Sequence, residues 1–375
     1  MTERVHSRLS RRSALSGAAV LGSVATTAPG TARAAVDNDI SVAADGKYER
    51  VALKKDVIMV KAIQSPLIPA DPANPKKQMS ANVNRMLDLI DTANGFIPGK
   101  QDLVCFHEQP IMGWRPWSRE EALKVSIEVP GPETEAIGKK AKEHGCYVAF
   151  CSYVKDEKNW PGHLLLNGIL ISPEGKVVAN HWKQHNVRRN PRWTMFTTTA
   201  YDVLPRYIEM YGADEVLPVA RTDIGNLSLM CSPYDPDIHR AVSLKGMEIA
   251  VRFSSGGFNQ VDSRSSSLFN DNYTITINQS IAPDNTGAGG AGGTSIYGPG
   301  GREVAMARTI NEEEVSTAIN MAEFRRTHTL PDVPMALVMP VYQKYRPPID
   351  PGLSLQYNAT DMVDAARWIK EKRNW

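Results

Sequence analysis

The chain is poor in the features that most readily announce a chemistry. Its 375 residues hold only four cysteines, Cys105, Cys146, Cys151 and Cys231, too few to staple a disulfide scaffold. Three lie inside apolar strand-like runs, where cysteine acts as a small buried hydrophobe. A Cys146–Cys151 bridge would join positions on opposite faces of one strand, so the thiols are expected to be mostly free. A formal charge of +2, with no cluster of Lys and Arg interleaved with aromatics, argues against nucleic-acid binding. No run approaches the roughly 18 apolar residues of a membrane span. His163, His181 and His185 lack the spacing of metal ligands and read as solvated or structural. The glycine-rich stretch from Gly287 to Gly293 is followed by no Lys-Ser/Thr and opens no helix, so it is not a phosphate loop.

What is present begins with an address. Ser10-Arg11-Arg12-Ser13-Ala14-Leu15 is a twin-arginine export pattern, followed by a mildly apolar run to Ala28 and the small residues Ala32-Arg33-Ala34. Residues 1–34 are therefore expected to be a signal peptide, and the mature protein to be periplasmic or extracellular. Beyond them, strand-like and helix-like segments alternate, which implies an α/β sheet packed by helices. Val57–Ile63 is a near-continuous apolar run, as in a strand buried on both faces. Residues 132–144 form the clearest helix, with Pro132 at its first position, Glu133 and Glu135 early, lysines late and Gly145 closing it. Strands are expected at 102–108, 147–154, 164–171, 177–182, 227–231, 249–253 and 273–278, and helices at 78–94, 203–211 and 237–245. A hairpin is expected around Gly298-Pro299-Gly300-Gly301. Residues 186–218 interrupt this rhythm, and Arg188, Arg189, Trp193 and Tyr201 are expected to line or cover a pocket. After about residue 320 the chain is Pro-rich, with a last helix near 361–370 behind Thr360 as cap. This tail is too apolar to be simply disordered and is expected to wrap the domain or a second subunit.

Three strand ends carry reactive groups. Glu108 closes the apolar run 102–108, a position where partial desolvation makes a carboxylate a usable base. Lys183 follows strand 177–182 in the same way and could stabilise an oxyanion. Cys231 ends strand 227–231 just before a helix, whose N-terminus favours thiolate. Each residue alone also fits a bland role: a rim carboxylate, a solvated lysine, a buried thiol. Their order and spacing add to the signal.

Glu108, Lys183 and Cys231 resemble the Glu–Lys–Cys triad of the nitrilase (carbon–nitrogen hydrolase) superfamily. Leu103-Val104-Cys105-Phe106-His107-Glu108 resembles its apolar run ending in Phe-Pro-Glu, with His107 in place of proline. Pro173-Glu174-Gly175 leading to Trp182-Lys183-Gln184-His185, Lys245-Gly246-Met247-Glu248, Thr276-Ile277-Asn278 and the Gly298–Gly301 hairpin resemble further family segments. Val129–Thr134 and Ile249–Arg252 look closest to the aliphatic amidase and formamidase branch. The similarity covers about 55–320, leaving 321–375 as a C-terminal extension. It implies a four-layer α-β-β-α sandwich that hydrolyses a small amide through a thioester. No metal or cofactor is implied. The implied partners are a small amide or nitrile and further copies of the chain, as a homodimer or higher homo-oligomer. Glu157 is the candidate for the second glutamate that orients a substrate amide. The nucleophile segment departs from the pattern: Cys231-Ser232-Pro233-Tyr234-Asp235-Pro236-Asp237 is one residue short of the family's spacing. Counting back from Pro236-Asp237 places Met230 at the nucleophile, and counting forward from Gly225 places Ser232 there. Two alternatives stay open: a nitrilase acting on a C≡N group, and a catalytically inactive binding protein if Cys231 is out of register, since a one-residue slip turns a strand side chain to the other face.

Overall fold

The computed structural model describes residues 39–95, 99–186, 195–231, 234–256, 259–282 and 290–375. The twin-arginine segment and Arg188, Arg189 and Trp193 lie outside them. The strands are β1 (Val57–Gln64), β2 (Leu103–Phe106), β3 (Tyr147–Asp156), β4 (Trp160–Ile171), β5 (Val177–Trp182), β6 (Ala220–Thr222), β7 (Gly225–Met230), β8 (Ile249–Phe253), β9 (Tyr273–Ile277), β10 (Ser295–Gly298), β11 (Arg302–Met306) and β12 (Glu313–Asn320). The helices are α1 (Pro75–Gly95), α2 (Arg119–Lys124), α3 (Pro132–His144), α4 (Leu204–Tyr211), α5 (Pro236–Leu244), α6 (Gln260–Asn270), α7 (Met321–Thr327), α8 (Met335–Lys344) and α9 (Met362–Lys372).

The strands form two six-stranded sheets, ordered β12-β1-β2-β3-β4-β5 and β11-β10-β9-β8-β7-β6. In each, three parallel strands sit centrally (β1, β2, β3 and β7, β8, β9) and antiparallel strands flank them. Strands buried on both faces read as continuous apolar runs, and β2, β8 and β9 are buried throughout. The architecture is the α-β-β-α sandwich expected from the sequence.

Helix α3 starts and stops where its chemistry dictates. Thr134 Oγ1 accepts from the Gly131 N–H at 2.8 Å, and Gly145 ends the helix in the left-handed region at φ +62°. Glycine is also required where α3 meets the β4–β5 turn, because a Cβ on Gly138 would lie 2.5 Å from the Gly175 carbonyl oxygen.

Three differences from the sequence reading have physical causes. Helix α6, not anticipated, buries Ser263, Ser266, Ser267 and Asn270 while Val261, Leu268 and Phe269 face out, so it carries no inward apolar stripe. Strand β12, also not anticipated, is a charged edge strand beside β1, its inward residues being Val315 and Ile319. The cap of α9 is Asp361, whose carboxylate accepts from the Asp364 N–H at 2.8 Å, and not Thr360. The tail packs on its own domain: Arg119 donates through its backbone N to Thr360 O and through Nε to Ala359 O, both at 2.6 Å, and Tyr201 Oη donates to Ile349 O at 2.7 Å.

Candidate active site

Strand β2 delivers Glu108. The chain leaves the strand through fully buried His107, whose ring burial pushes down to about pKa 3. The Glu108 N–H then donates to Ser254 O at 3.2 Å, just past the end of β8, so the two sheets are joined at this point. Ser255 Oγ donates to Glu108 Oε2. The other carboxylate oxygen lies 3.9 Å from Lys183 Nζ, with the two side chains 13 % and 5 % exposed.

Strand β5 delivers that lysine. Its N–H donates to Leu166 O on β4 at 2.8 Å, and its carbonyl accepts from Ala200 at 3.0 Å. Strand alternation sends Trp182 to the opposite face, where its ring sits edge-on to Trp160 and Tyr207, each at 5.2 Å. His181, two residues before Lys183, reaches the second sheet, its Nδ1 accepting from the Leu229 N–H at 3.2 Å. That acceptor role needs a neutral ring, and burial pushes its pKa down to about 3.

Strand β7 divides its residues between two faces. Met230 packs with Val242, Met247 and Ala250 towards the helical layer, whereas Leu227, Leu229 and Cys231 join the main core. The alternation thus puts Met230 and Cys231 on different sides, and it is Cys231 that faces the first sheet. Its Sγ lies 3.2 Å from the Cys151 Sγ of β3; all four cysteines are free and buried. Burial, then the neighbouring Cys231 sulfur and the Glu108 charge, pushes the Cys151 thiol well above its ordinary pKa, while Lys183 pulls it down. Cys151 therefore senses all three residues read from the sequence.

After Cys231 the chain is held by a second set of contacts. Tyr234 adopts φ +62° and donates its N–H to Asp262 Oδ2 at 3.3 Å; Arg252, at the end of β8, pairs with the same carboxylate. Asp235, before α5, lies 3.3 Å from His185 Nδ1, and the His185 ring meets Tyr201 edge-on at 5.4 Å.

Glu157 stands elsewhere. It is exposed in the β3–β4 turn, accepting from the Gly162 N–H at 3.3 Å. It borders a cleft of about 810 Å³ with Trp182, Tyr207 and Tyr211, to which Glu108, Lys183 and Cys231 do not contribute. The structure instead brings Ser255 to the carboxylate; the Tyr153 hydroxyl is pushed up by burial first and by the Glu108 charge second. Ser255 was findable, since it follows strand β8 as Glu108 follows β2; Tyr153 gave no signal beyond an apolar strand. Asp91, Glu143 and His144 lie close enough for metal ligation, but Lys140 Nζ already sits 2.7 Å from Asp91 and 3.2 Å from Glu143.

This arrangement falls within a known family. The family model described as carbon–nitrogen hydrolase matches residues 67–329, and the chain belongs to that family. Formamidases of Bacillus cereus (strain B4264) and Bacillus thuringiensis (strain Al Hakam) are each 26% identical over 216 residues, covering 54% of this chain and 57% of theirs. The chain thus spans little more than half the length of these relatives. Among solved structures, an amidase from Nesterenkonia sp. is 14% identical, covering 77% of this chain and 98% of its own with a TM-score of 0.55. Saccharomyces cerevisiae Nit3, of branch 10 of the nitrilase superfamily, is 17% identical, covering 74% and 96% with a TM-score of 0.55. At such identities these two establish the shared fold.

Proposed function

We propose that the protein hydrolyses the C–N bond of a small amide through a thioester on Cys231. Glu108 takes the thiol proton and the sulfur attacks the amide carbonyl carbon. The oxygen gains negative charge beside Lys183, whose ammonium stabilises it in a site shielded from water. Glu108 returns the proton to nitrogen, the C–N bond breaks, and ammonia or an amine leaves. Glu108 then deprotonates a water that attacks the thioester, and the acid departs as the thiol is restored.

The observation that supports this reading is the Glu108–Lys183 pair, 3.9 Å apart and largely shielded from solvent, together with Cys231 lying 3.2 Å from Cys151, a thiol on which both of those charges act. The formamidase relatives favour an amide over a nitrile, whereas Glu157, exposed beside a different cleft, takes no part in this cycle. Kinetics on a series of small amides and their nitriles test the reading. Cys231→Ala should abolish turnover, Glu108→Gln should lower kcat by about 10²–10⁴-fold, and Lys183→Met by about 10²–10³-fold. Turnover of nitriles alone would move the reading to C≡N hydrolysis, and turnover that survives Cys231→Ala would refute the mechanism.

Two parts of the reading concern the whole protein. Residues 1–34 direct export, so the mature chain in a twin-arginine-competent host should begin after Ala34, which N-terminal sequencing decides. The chain works as a homo-oligomer, and sedimentation velocity of the purified protein should give at least the dimer mass.

A further inference from the structure

Cys151 has no part in the hydrolytic cycle, yet its sulfur lies 3.2 Å from that of Cys231, 80 residues away in sequence and on the other sheet. A covalent bond between them needs the sulfurs only about 1 Å closer. Their approach is built into the sheets. Cys151 pairs in register with Gly168 of β4, and a Cβ on Gly168 would lie 2.7 Å from Leu229 Cβ and 2.9 Å from the Phe253 ring. The bare glycine lets β7 close onto the first sheet two residues before Cys231.

We propose that Cys151 and Cys231 form an oxidative modification site, in which a small peroxide oxidises Cys231 and Cys151 then closes a disulfide with it. In the first step the Cys231 thiolate attacks one oxygen of hydrogen peroxide. The O–O bond breaks, hydroxide leaves, and the sulfur becomes a sulfenic acid. In the second, the Cys151 sulfur attacks the sulfenic sulfur, the S–O bond breaks, and the hydroxyl leaves with the Cys151 proton as water. Two thiols and one peroxide give one disulfide and two waters.

The roles of the two sulfurs follow from their surroundings. Both thiols are buried, but Cys151 sits in the middle of β3, whereas Cys231 follows the last residue of β7, where the proposed cycle brings small molecules, so Cys231 meets the oxidant and Cys151 is the resolving partner. The bond masks the nucleophile reversibly and shields it from irreversible oxidation to sulfinic acid. The proposal shares with the hydrolytic reading the access of small molecules to Cys231, but its readout is a covalent bond and not turnover.

The test treats the reduced full-length protein with hydrogen peroxide and maps peptides without reductant, following amide hydrolysis in parallel. A Cys151–Cys231 cross-linked peptide is expected, with activity falling at least ~10-fold and returning to within ~2-fold on reduction. Cys151→Ala, and Cys151→Ser should the first fold poorly, is expected to carry sulfinic or sulfonic acid at Cys231 and to stay inactive after reduction. Wild-type protein that accumulates sulfinic Cys231 without the cross-link, or recovers no better than the variants, overturns the proposal. If no amide is hydrolysed, the cross-linked peptide alone decides it, so failure of the catalytic reading is seen separately.

Discussion

Ser255 holds one oxygen of Glu108 while Lys183 faces the other, so the carboxylate is fixed between a hydroxyl and an ammonium. Ser255 does not touch the reacting atoms in the proposed cycle; it is a positioning residue. Freeing a base from a hydrogen-bonded orientation costs turnover more than binding. Ser255→Ala should therefore lower kcat by about tenfold with KM nearly unchanged, a charge-assisted hydrogen bond being worth about 1.5–3 kcal/mol, and Ser255→Thr should restore most of the loss. Steady-state kinetics check this, and a rise in KM at unchanged kcat would place Ser255 in substrate binding instead. Cys231 shows how far one residue could be read from sequence. The segment around it has both a deletion and a shift relative to the family, and counting along the chain left Met230, Cys231 and Ser232 in competition. Strand alternation in three dimensions separates Met230 from Cys231, because each packs on a different side of β7. That fact depends on which layer lies on which face, and a single sequence does not carry it.

Among the elements, α7 is tied to the second sheet by one buried ion pair. Arg325 donates Nε and Nη2 to the two oxygens of Glu248, both at 2.8 Å, and Glu248 is fully buried. Tyr48 Oη and the Asn226 N–H also donate to it, at 2.9 and 2.7 Å. Removing the arginine leaves a buried carboxylate without its countercharge, so Arg325→Met should destabilise the fold by about 3–5 kcal/mol in urea titration; a loss under about 1 kcal/mol would mean that the pair is already screened by solvent. Elements with conventional periodicity were legible. Residues 132–144, 177–182 and 249–253 fall on α3, β5 and β8 to the residue, because the first has its caps and the others their apolar runs. Helix α6 was not, since it packs through serines: Ser266 Oγ meets His239 Nδ1 at 2.9 Å and Ser263 Oγ accepts from Thr276 Oγ1 at 2.9 Å. Hydroxyls that satisfy one another fill a buried face without the hydrophobic signature by which a helix is recognised. Strand β4 begins four residues earlier than its apolar run, at Trp160, because Gly162 takes φ +72° and lets the hairpin continue past Pro161.

For the molecule as a whole, the alternation of strands and helices and the quoted motifs made the sandwich legible, while the position of the tail was not, since its anchors are backbone carbonyls at Ile349, Ala359 and Thr360. The inter-sheet region also sets a pH limit on stability. His107 and His181 are buried neutral with pKa values near 3, against 6.5 when exposed. The unfolded chain binds more protons below pH 6.5, so their contribution is complete above 6.5 and is lost as pH falls towards 3. At pH 5 the loss should be about 2 kcal/mol for each histidine. Thermal melts across this range should show a falling Tm, and a His181→Asn variant should show a shallower fall; an unchanged slope would mean that His181 is already solvated in the fold. The catalytic proposal depends in the end on one thiol among four buried ones. The most direct measurement is the rate of iodoacetamide labelling at neutral pH, resolved by peptide for Cys105, Cys146, Cys151 and Cys231, with and without a small amide as competitor. If Cys231 is the nucleophile, its peptide is labelled first and the amide slows it, while the other three stay unmodified. Labelling of Cys231 no faster than the rest, or untouched by the amide, would contradict it.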